Sequence, residues 1–464
     1  MTDVVAKLWG FCNYLRHDGM NYGLYIEQLT YLLFLKMAFE KGRKLPKGCN
    51  WNELLDHSGS ELLEEYLDLL KKLSKEEGLL GDIFAKSNSA FNNPVNLKKL
   101  LNDLNEIDWS STDIDIKGAA YEGLLEKYAA TEKGAGQYFT PRPLIRSIVR
   151  CVKPNFVNSQ EYTIHDPASG TCGFLIGAFE WIMKETDDGS KLKIKDRERL
   201  IKNTFSGGDN VVTTRRLGLM NCYLHEIEPE IYYGSSLDEG PHVSKRYNLI
   251  LTNPPFGSSG AGGVPDRADF LFQVASKEMN FVQHVMTILK VGGQCAMIVP
   301  DGILRGEESD KSGRGIRENL LKQCDLHTIL RLPNGTFVPY ANAKANVFFF
   351  TKGKPTDEVW IYDLRTNIPN IRKRKPLTEK IFEDFEKCYS QKSRKQTDRF
   401  QKRTIKQIQE NNFNLDFKFI KDENVINLDD LPEPDVLANE IAQNLKLAMK
   451  SINELVSTLK KESK

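Results

Sequence analysis

At 464 residues the chain is long enough for two or three domains with an ample buried core, and 40% hydrophobic against 27% charged residues describe an ordinary soluble globular protein. Sixty-four Lys and Arg against sixty-three Asp and Glu leave a net charge of +1, which excludes a chain that grips nucleic acid by bulk electrostatics over its whole surface. Eight scattered cysteines show neither a close pair nor metal-ligand spacing to the seven histidines, so a reduced, cytoplasmic protein without a metal site is expected.

The amino terminus shows no basic-then-apolar signal segment. From there to about residue 130 the pattern is helical. Val4, Val5, Leu8, Trp9 and Cys12 follow a 3.6-residue period, as do Ile26, Leu29, Leu33 and Met37, and residues 54–73 and 97–104 continue it. About six to eight helices are expected in this amino-terminal domain, residues 1–130, which reads as a packing module. Residues 25–39 form its most apolar window, but Glu27, Gln28, Thr30 and Lys36 interrupt them, so a buried helix is expected and not a membrane span.

Gly136, Gln137, Tyr138, Phe139, Thr140 and Pro141 then open a helix whose buried face is Leu144, Ile145, Ile148 and Val149. Thr140 is the expected N-cap and Pro141 the first helical residue. A short strand through Ile164 and His165 ends at Asp166, and a loop of small residues follows: Pro167, Ala168, Ser169, Gly170, Thr171, Cys172 and Gly173. Small residues let a backbone approach a ligand above a parallel sheet. The loop is neither a three-glycine dinucleotide fingerprint nor a Walker loop. Asp166 suits a cationic amino group better than a phosphate, which points to a cofactor that carries an amino acid.

A charged segment, 184–199, precedes a strand that starts at Phe205 and ends at Asp209, where an acid normally holds a ribose diol. Its distance from Asp166 exceeds the usual interval of about twenty residues, and the charged insertion accounts for that. A helix through Leu217, Met220 and Leu224 and a strand ending near Tyr233 come next. Asn248 to Asn253 reads as a buried strand stopped by Pro254 and Pro255, with Phe256 and Gly257 beyond. The prolines fix φ, so Asn253 Oδ1 and the Pro254 carbonyl can present two acceptors beside the flat face of Phe256. Adenine, with a planar amine and an aromatic ring, fits such a pincer; a plain strand exit is the alternative.

Residues 257–263 are glycine-rich and read as a lid or a linker. Helices are expected over 270–289 and 316–323, and strands over 294–299, 326–332 and 346–351. Alternation of strand and helix from 160 to 351 predicts a doubly wound parallel α/β sheet. Residues 371–406 are strongly basic, through Arg372, Lys373, Arg374, Lys375, Lys392, Arg394, Lys395, Arg399, Lys402, Arg403 and Lys406, and offer either a solvated face or a place for a DNA backbone. The expected domain plan is 1–130, 131–365, a basic extension 366–430, and a carboxy-terminal helix in 431–464. That helix carries Ile441, Leu445, Ala448, Ile452, Leu455 and Leu459 at heptad spacing and asks for a partner helix.

Taken together, these motifs resemble the modification (M) subunits of type I restriction-modification systems, whose Thr-Pro motif precedes the cofactor loop. The likeness runs from the helical start to Gly353 and includes Leu332, Pro333, Asn334, Gly335, Thr336 and Phe337. It implies a Rossmann-like methyltransferase sheet between a helical amino-terminal domain and a helical tail. It also implies S-adenosyl-L-methionine as donor and the N6 amine of a flipped adenine in duplex DNA as acceptor. Gln137, Tyr138, Phe139, Thr140 and Pro141 would line the methionine end, with Asp166, Ser169, Gly170, Thr171 and Gly173 in the cofactor loop and Asp209 on the ribose. Asn253, Pro254 and Phe256 would hold the base. A specificity subunit, a restriction subunit and a second M subunit are the implied partners. Asp209 stands where the family usually has Glu, Cys172 where Gly or Ala is usual, and Ser235 where many relatives carry an acid or Asn, so Ser235 is not counted as a ligand. An Asn-Pro-Pro enzyme acting on RNA or protein glutamine, and a non-catalytic assembly subunit, remain the alternative readings.

Overall fold

The computed structural model describes residues 2–16, 19–40, 42–107, 114–131, 139–157, 161–257, 263–305, 311–338, 343–372 and 375–422, together with Leu445 and Met449. Residues 1–419 form one compact unit and 420–464 a second. Of the heptad-spaced seam only Leu445 is described, helical and exposed; Ile441, Ala448, Ile452, Leu455 and Leu459 lie outside the described residues.

Seven helices lie among the described residues up to Thr131: α1 (Thr2–Leu15), α2 (Tyr22–Glu40), α3 (Trp51–Asp56), α4 (Gly59–Leu73), α5 (Gly78–Phe84), α6 (Pro94–Asn105) and α7 (Ile114–Thr131). Every residue of α2 from Tyr25 to Ala38 is buried except Glu27, as befits a helix at the centre of a bundle. The polar residues that interrupt its apolar run are all partnered. Gln28 donates to the Asn88 carbonyl at 2.8 Å and accepts from the Tyr66 hydroxyl at 2.9 Å, and Lys36 donates to Asn105 at 3.0 Å. Among the described residues no helix is long and apolar enough to cross a membrane.

The rest of the unit is an α/β assembly. In chain order it runs α8 (Arg142–Val152), β1 (Ile164–Asp166), α9 (Gly173–Glu185), α10 (Ile194–Asn203), β2 (Phe205–Asp209), α11 (Val212–Leu224), β3 (Glu230–Tyr233) and β4 (Tyr247–Thr252). Then come α12 (Lys277–Ile288), β5 (Leu289–Pro300), α13 (Asp301–Leu304), α14 (Lys311–Gln323), β6 (Cys324–Arg331), β7 (Ala345–Lys352), β8 (Glu358–Asp363), α15 (Glu383–Ser390), β9 (Phe400–Thr404) and α16 (Ile405–Glu410). The nine strands lie in the order β3-β2-β1-β4-β5-β7-β6-β8-β9. Both faces are covered, and the pleat shows how. Leu249, Leu251, Ala296, Ile298, Val347 and Phe349 join one apolar core, while Ile250, Cys295, Met297, Val299, Phe348 and Phe350 join the other. Side chains two apart share a face, so a run that is apolar at every position is what a doubly covered strand requires.

Three expectations need correction. The sheet is not wholly parallel: β7 pairs antiparallel with both β5 and β6, and β9 antiparallel with β8. No helix is described between β6 and β7, so the chain has no crossover on which to return in parallel. The helix expected from residue 270 begins only at Lys277, because the Ser276 hydroxyl caps it by accepting from Met279 N–H and residues 272 and 274 bond instead to the side chains of Gln283 and Asn280. Finally, strands β8 and β9 lie beyond the last strand the alternation identified. Part of the basic stretch is thereby internal structure: Arg394 donates to Thr328 at 2.9 Å, Arg399 to the Asp363 carbonyl at 3.0 Å, and Lys402 to Glu358 at 2.9 Å.

The helices before the sheet are fastened to it by two consecutive arginines of α11. Arg216, only 2% exposed, donates to the Ile83 and Ala85 carbonyls and to Glu27, at 2.7, 2.6 and 2.6 Å. Arg215 donates to the Ile231 carbonyl and pairs with Asp82 at 2.7 Å.

Candidate active site

The chain leaves β1 for β2 and β3 on one side, then returns to lay β4 on the other side of β1. That reversal opens a crevice at the carboxyl ends of β1 and β4, where ligands of open α/β sheets bind. A cavity of about 240 Å³ occupies it, walled by Asp166 to Thr171, Gly173, Asp209, Asn253 and Thr140 among others. The loop after β1 can be this tight because Gly170 takes a left-handed φ of 52° and Gly173 packs so closely on α8 that a Cβ would lie 2.8 Å from Ile145. Cys172 also has a left-handed φ, 61°. Arg142, paired with Glu122, donates to the Gly173 carbonyl at 3.1 Å and ties the start of α8 to this loop.

Two acids stand at the strand tips. Asp166 accepts from Ala168 N–H at 3.1 Å, and Asp209 accepts from Gly170 N–H at 3.1 Å and Val211 N–H at 2.8 Å. Burial pushes Asp166 up to about 7, opposed in part by its hydrogen bonds, and Asp209 up to about 6 for the same reason. Two buried carboxyl groups that burial makes easier to protonate gain from a cation or from hydroxyl donors, either of which favours the carboxylate.

Asn253, at the end of β4, is the decisive residue. Its Nδ2 donates to Thr140 Oγ1 at 3.1 Å, which fixes the amide plane. Its Oδ1 is buried and finds no partner among the described residues. An orphaned buried acceptor costs about 1–3 kcal/mol, so this one calls for a donor from a ligand. Thr140 is therefore not the helix cap that its position suggests: Pro141 is the N-cap residue of α8, with Pro143 in the first turn, and the Thr140 hydroxyl serves Asn253. Beyond Asn253, Pro254 is buried, Pro255 joins the cavity wall, and Phe256 is half-buried against the core. The exit is held by a reciprocal clamp on α12. Gly257 N–H donates to Glu278, and Lys277 N–H donates to the Gly257 carbonyl, each at 3.0 Å.

The cavity thus gathers Thr140, Asp166, Ser169, Gly170, Thr171, Gly173, Asp209 and Asn253 from the residues expected of it. Pro254, Phe256 and Pro141 are not among its walls, and Phe139 lines a neighbouring pocket with Leu24 and Glu27 of α2. Gln137 and Tyr138 lie outside the described residues. Sequence reasoning missed Val211, Ser236, Leu237, Lys277 and Phe281, and set Ser235 aside, yet all six are wall residues. Four of them follow the tips of β2 and β3 and could have been found from the strand-end rule; Lys277 and Phe281 sit on α12 with no local signal.

A family model described as N-6 DNA Methylase matches residues 112–425. The StySPI methylase subunit, a type I restriction enzyme chain of Salmonella potsdam, is 37% identical over 517 residues, covering 99% of this chain and 95% of that one. The EcoKI methylase subunit of Escherichia coli (strain K12) is 36% identical over 518 residues with the same coverage. A chain solved within the type I R-M system, in work on its complex assembly and conformational transition, superposes with a TM-score of 0.74 at 27% identity over 99% of both chains.

Proposed function

The chain belongs to the N-6 DNA methylase family, among the methylase subunits of type I restriction enzymes, and from that premise we propose that its cavity holds S-adenosyl-L-methionine and that Asn253 presents the N6 amine of a flipped adenine to it. The observation that carries this reading is the buried Oδ1 of Asn253, without a partner among the described residues, beside a cavity walled by two buried acids, Asp166 and Asp209. The residues fit the donor: Asp166 can take its ammonium, Asp209 its ribose hydroxyls, and the Gly170 to Gly173 turn its close approach. When bound, the donor supplies an electrophilic methyl on a sulfonium.

Everything else falls to the chain. The adenine amine is a weak nucleophile because its lone pair is delocalised into the ring. Asn253 Oδ1 accepts one N–H and the Pro254 carbonyl the other, which draws the nitrogen towards tetrahedral geometry and frees the pair for in-line attack. Thr140 keeps the amide from turning. Phe256 offers a stacking face, which could return about 1–3 kcal/mol of the few kcal/mol that extruding a base costs. Catalysis by this site is positioning and polarisation.

In the proposed plan residues 1–130 pack against the catalytic domain, 131–365 carry chemistry, and 366–430 lie near DNA. Exposed Arg372, Lys375, Lys392 and Lys395 are the candidate phosphate contacts. Residues 431–464 would dock the specificity subunit, with a second M subunit and the restriction subunit completing the assembly. The free, buried thiols suit the reducing cytoplasm. The near-neutral charge supports reliance on another subunit for site specificity. The test is methyl transfer by the chain alone and co-expressed with its specificity partner, followed by mapping of the methylated product. N6-methyladenine at one defined sequence, made only by the complex, is expected. Product on RNA, on glutamine or on cytosine would sink the reading.

Donor affinity should depend on pH. With folded values raised to about 7 and 6 from the ordinary 3.8, Asp166 and Asp209 retain protons that the unfolded chain has released, so the ligand-free protein loses stability as pH rises from about 4 through 7. A cation on Asp166 requires the carboxylate, so binding expels a proton. The Kd for S-adenosylmethionine is expected to fall as pH rises from about 5.5 to 7, by up to about tenfold per unit for each proton released, and to level off above. Calorimetry in buffers of different ionisation enthalpy checks it; an Asp166→Asn variant that keeps the same pH slope would refute the assignment.

A further inference from the structure

Among the segments that wall the cavity, the loops after β1, β3 and β4 meet at Ser236. Its hydroxyl donates to the Pro167 carbonyl in the first loop and lies 2.7 Å from the Tyr232 hydroxyl of β3. Its carbonyl accepts from Arg267 Nη1 at 3.2 Å, and Arg267 belongs to the third loop, on the segment that leaves the Asn253 pincer.

Arg267 is completely buried. Asp269 grips it in two parallel bonds, 2.7 Å to Nε and 2.8 Å to Nη2, and Asp269 is itself held by the Thr287 hydroxyl of α12 at 2.7 Å. His284 Nδ1 faces both terminal nitrogens at 3.4 Å and can only accept from a guanidinium, so its ring is neutral; burial favours that form. The remaining segment is stitched to the same helix: Gln283 exchanges bonds with the Phe272 backbone at 3.0 and 2.9 Å, and Asn280 donates to the Val274 carbonyl at 2.8 Å. Because Gly257 is clamped to Lys277 and Glu278, α12 carries both ends of the acceptor-side loop, and Arg267 connects that loop to the cavity wall.

Arg267 is not itself a wall residue. If it served stability alone, well-packed apolar side chains in place of the ion pair would do as well or better. A planar guanidinium can hold a carboxylate by two parallel bonds on one edge while a separate nitrogen reaches a carbonyl, which fixes two backbones in one orientation; a lysine ammonium, with all its donors on one atom of a flexible stem, lacks that fixed fork. We propose that Arg267 is a positioning residue: it holds the Ser236 wall of the donor cavity in register with the Asn253 pincer, so that donor affinity depends on a side chain that touches neither donor nor base. This rests on the reading of the cavity as the donor site.

The test uses the full chain with its specificity partner. Titration calorimetry with S-adenosylhomocysteine, steady-state kinetics and thermal melting are compared for wild type, Arg267→Lys and Asp269→Asn. Arg267→Lys is expected to raise the Kd for S-adenosylhomocysteine and the donor KM by at least about tenfold, while kcat at saturating donor stays within about threefold. Asp269→Asn keeps the bond to Ser236 and should shift both in the same direction by less. Unchanged S-adenosylhomocysteine affinity in the two variants, with a lowered melting temperature, would make the pair merely structural and overturn the proposal. Should Arg267→Lys fail to fold, unchanged affinity in Asp269→Asn overturns it alone. A wild-type complex that does not bind S-adenosylhomocysteine overturns the reading of the cavity, and this inference with it.

Discussion

Asn253→Ala is expected to lower methyl transfer by about a hundred- to a thousandfold, the usual loss when one preorganised polar group is removed from a transition state, while S-adenosylhomocysteine affinity stays within about threefold. The asymmetry follows from where the side chain looks. Nδ2 is committed to Thr140, and Oδ1 is a buried acceptor without a partner among the described residues, so in the proposed reading truncation removes a contact that only the acceptor base completes. Thr140→Val should act in the same direction but more weakly, because it frees the amide to turn without deleting the acceptor. The two effects should be far from additive, since both act through one hydrogen-bond arrangement. Single-turnover transfer and calorimetry on the same preparations would decide it. An Asn253→Ala enzyme with more than about a tenth of wild-type kcat would show that Oδ1 does not polarise the amine.

How far the sequence carries depends on what kind of signal each residue leaves. Asp166, Asp209 and Asn253 are legible because each stands at the tip of a short strand, and the strand-end rule points at the crevice whatever the loops do. The amino-terminal helices are legible from their period, and the polar residues inside α2 argued correctly for burial, although their partners Asn88, Tyr66 and Asn105 are distant in sequence and could not be named. Strand direction was not legible. The apolar run of β7 says that both faces are covered; only the missing crossover before it says which way it runs. Thr140 shows a different failure. A threonine before a proline and an apolar helix reads as a cap from local rules, and a tertiary bond to Asn253 overrides them. Arg267 left no trace at all, because a single arginine after a glycine-rich stretch looks like any surface cation until its carboxylate, carbonyl and imidazole neighbours are assembled around it.

Arg216→Met is expected to lower stability by about 3 kcal/mol, the low end of the range for removing one member of a buried ion pair. Methionine keeps most of the volume, so the loss reports on bonds and not on a cavity. Deleting the guanidinium strands the Ile83 and Ala85 carbonyls and takes from Glu27 its cation, although the Tyr31 hydroxyl still donates to that carboxylate at 2.7 Å and limits the damage. The neighbouring Arg215→Met should cost less. Its carboxylate partner Asp82 is 44% exposed, so water replaces much of that pairing, and the loss is confined mainly to the bond with the Ile231 carbonyl. Function should follow in the same order. α11 begins directly after Val211, a wall residue, so loosening its attachment to α2 and α5 disturbs the Asp209 side of the cavity. Denaturant titration of both variants gives the stability ranking, and limited proteolysis within residues 40–110 should accelerate more in Arg216→Met than in Arg215→Met. If Arg216→Met loses less than about 1 kcal/mol, the amino-terminal helices are held to the sheet by apolar packing and not by this arginine.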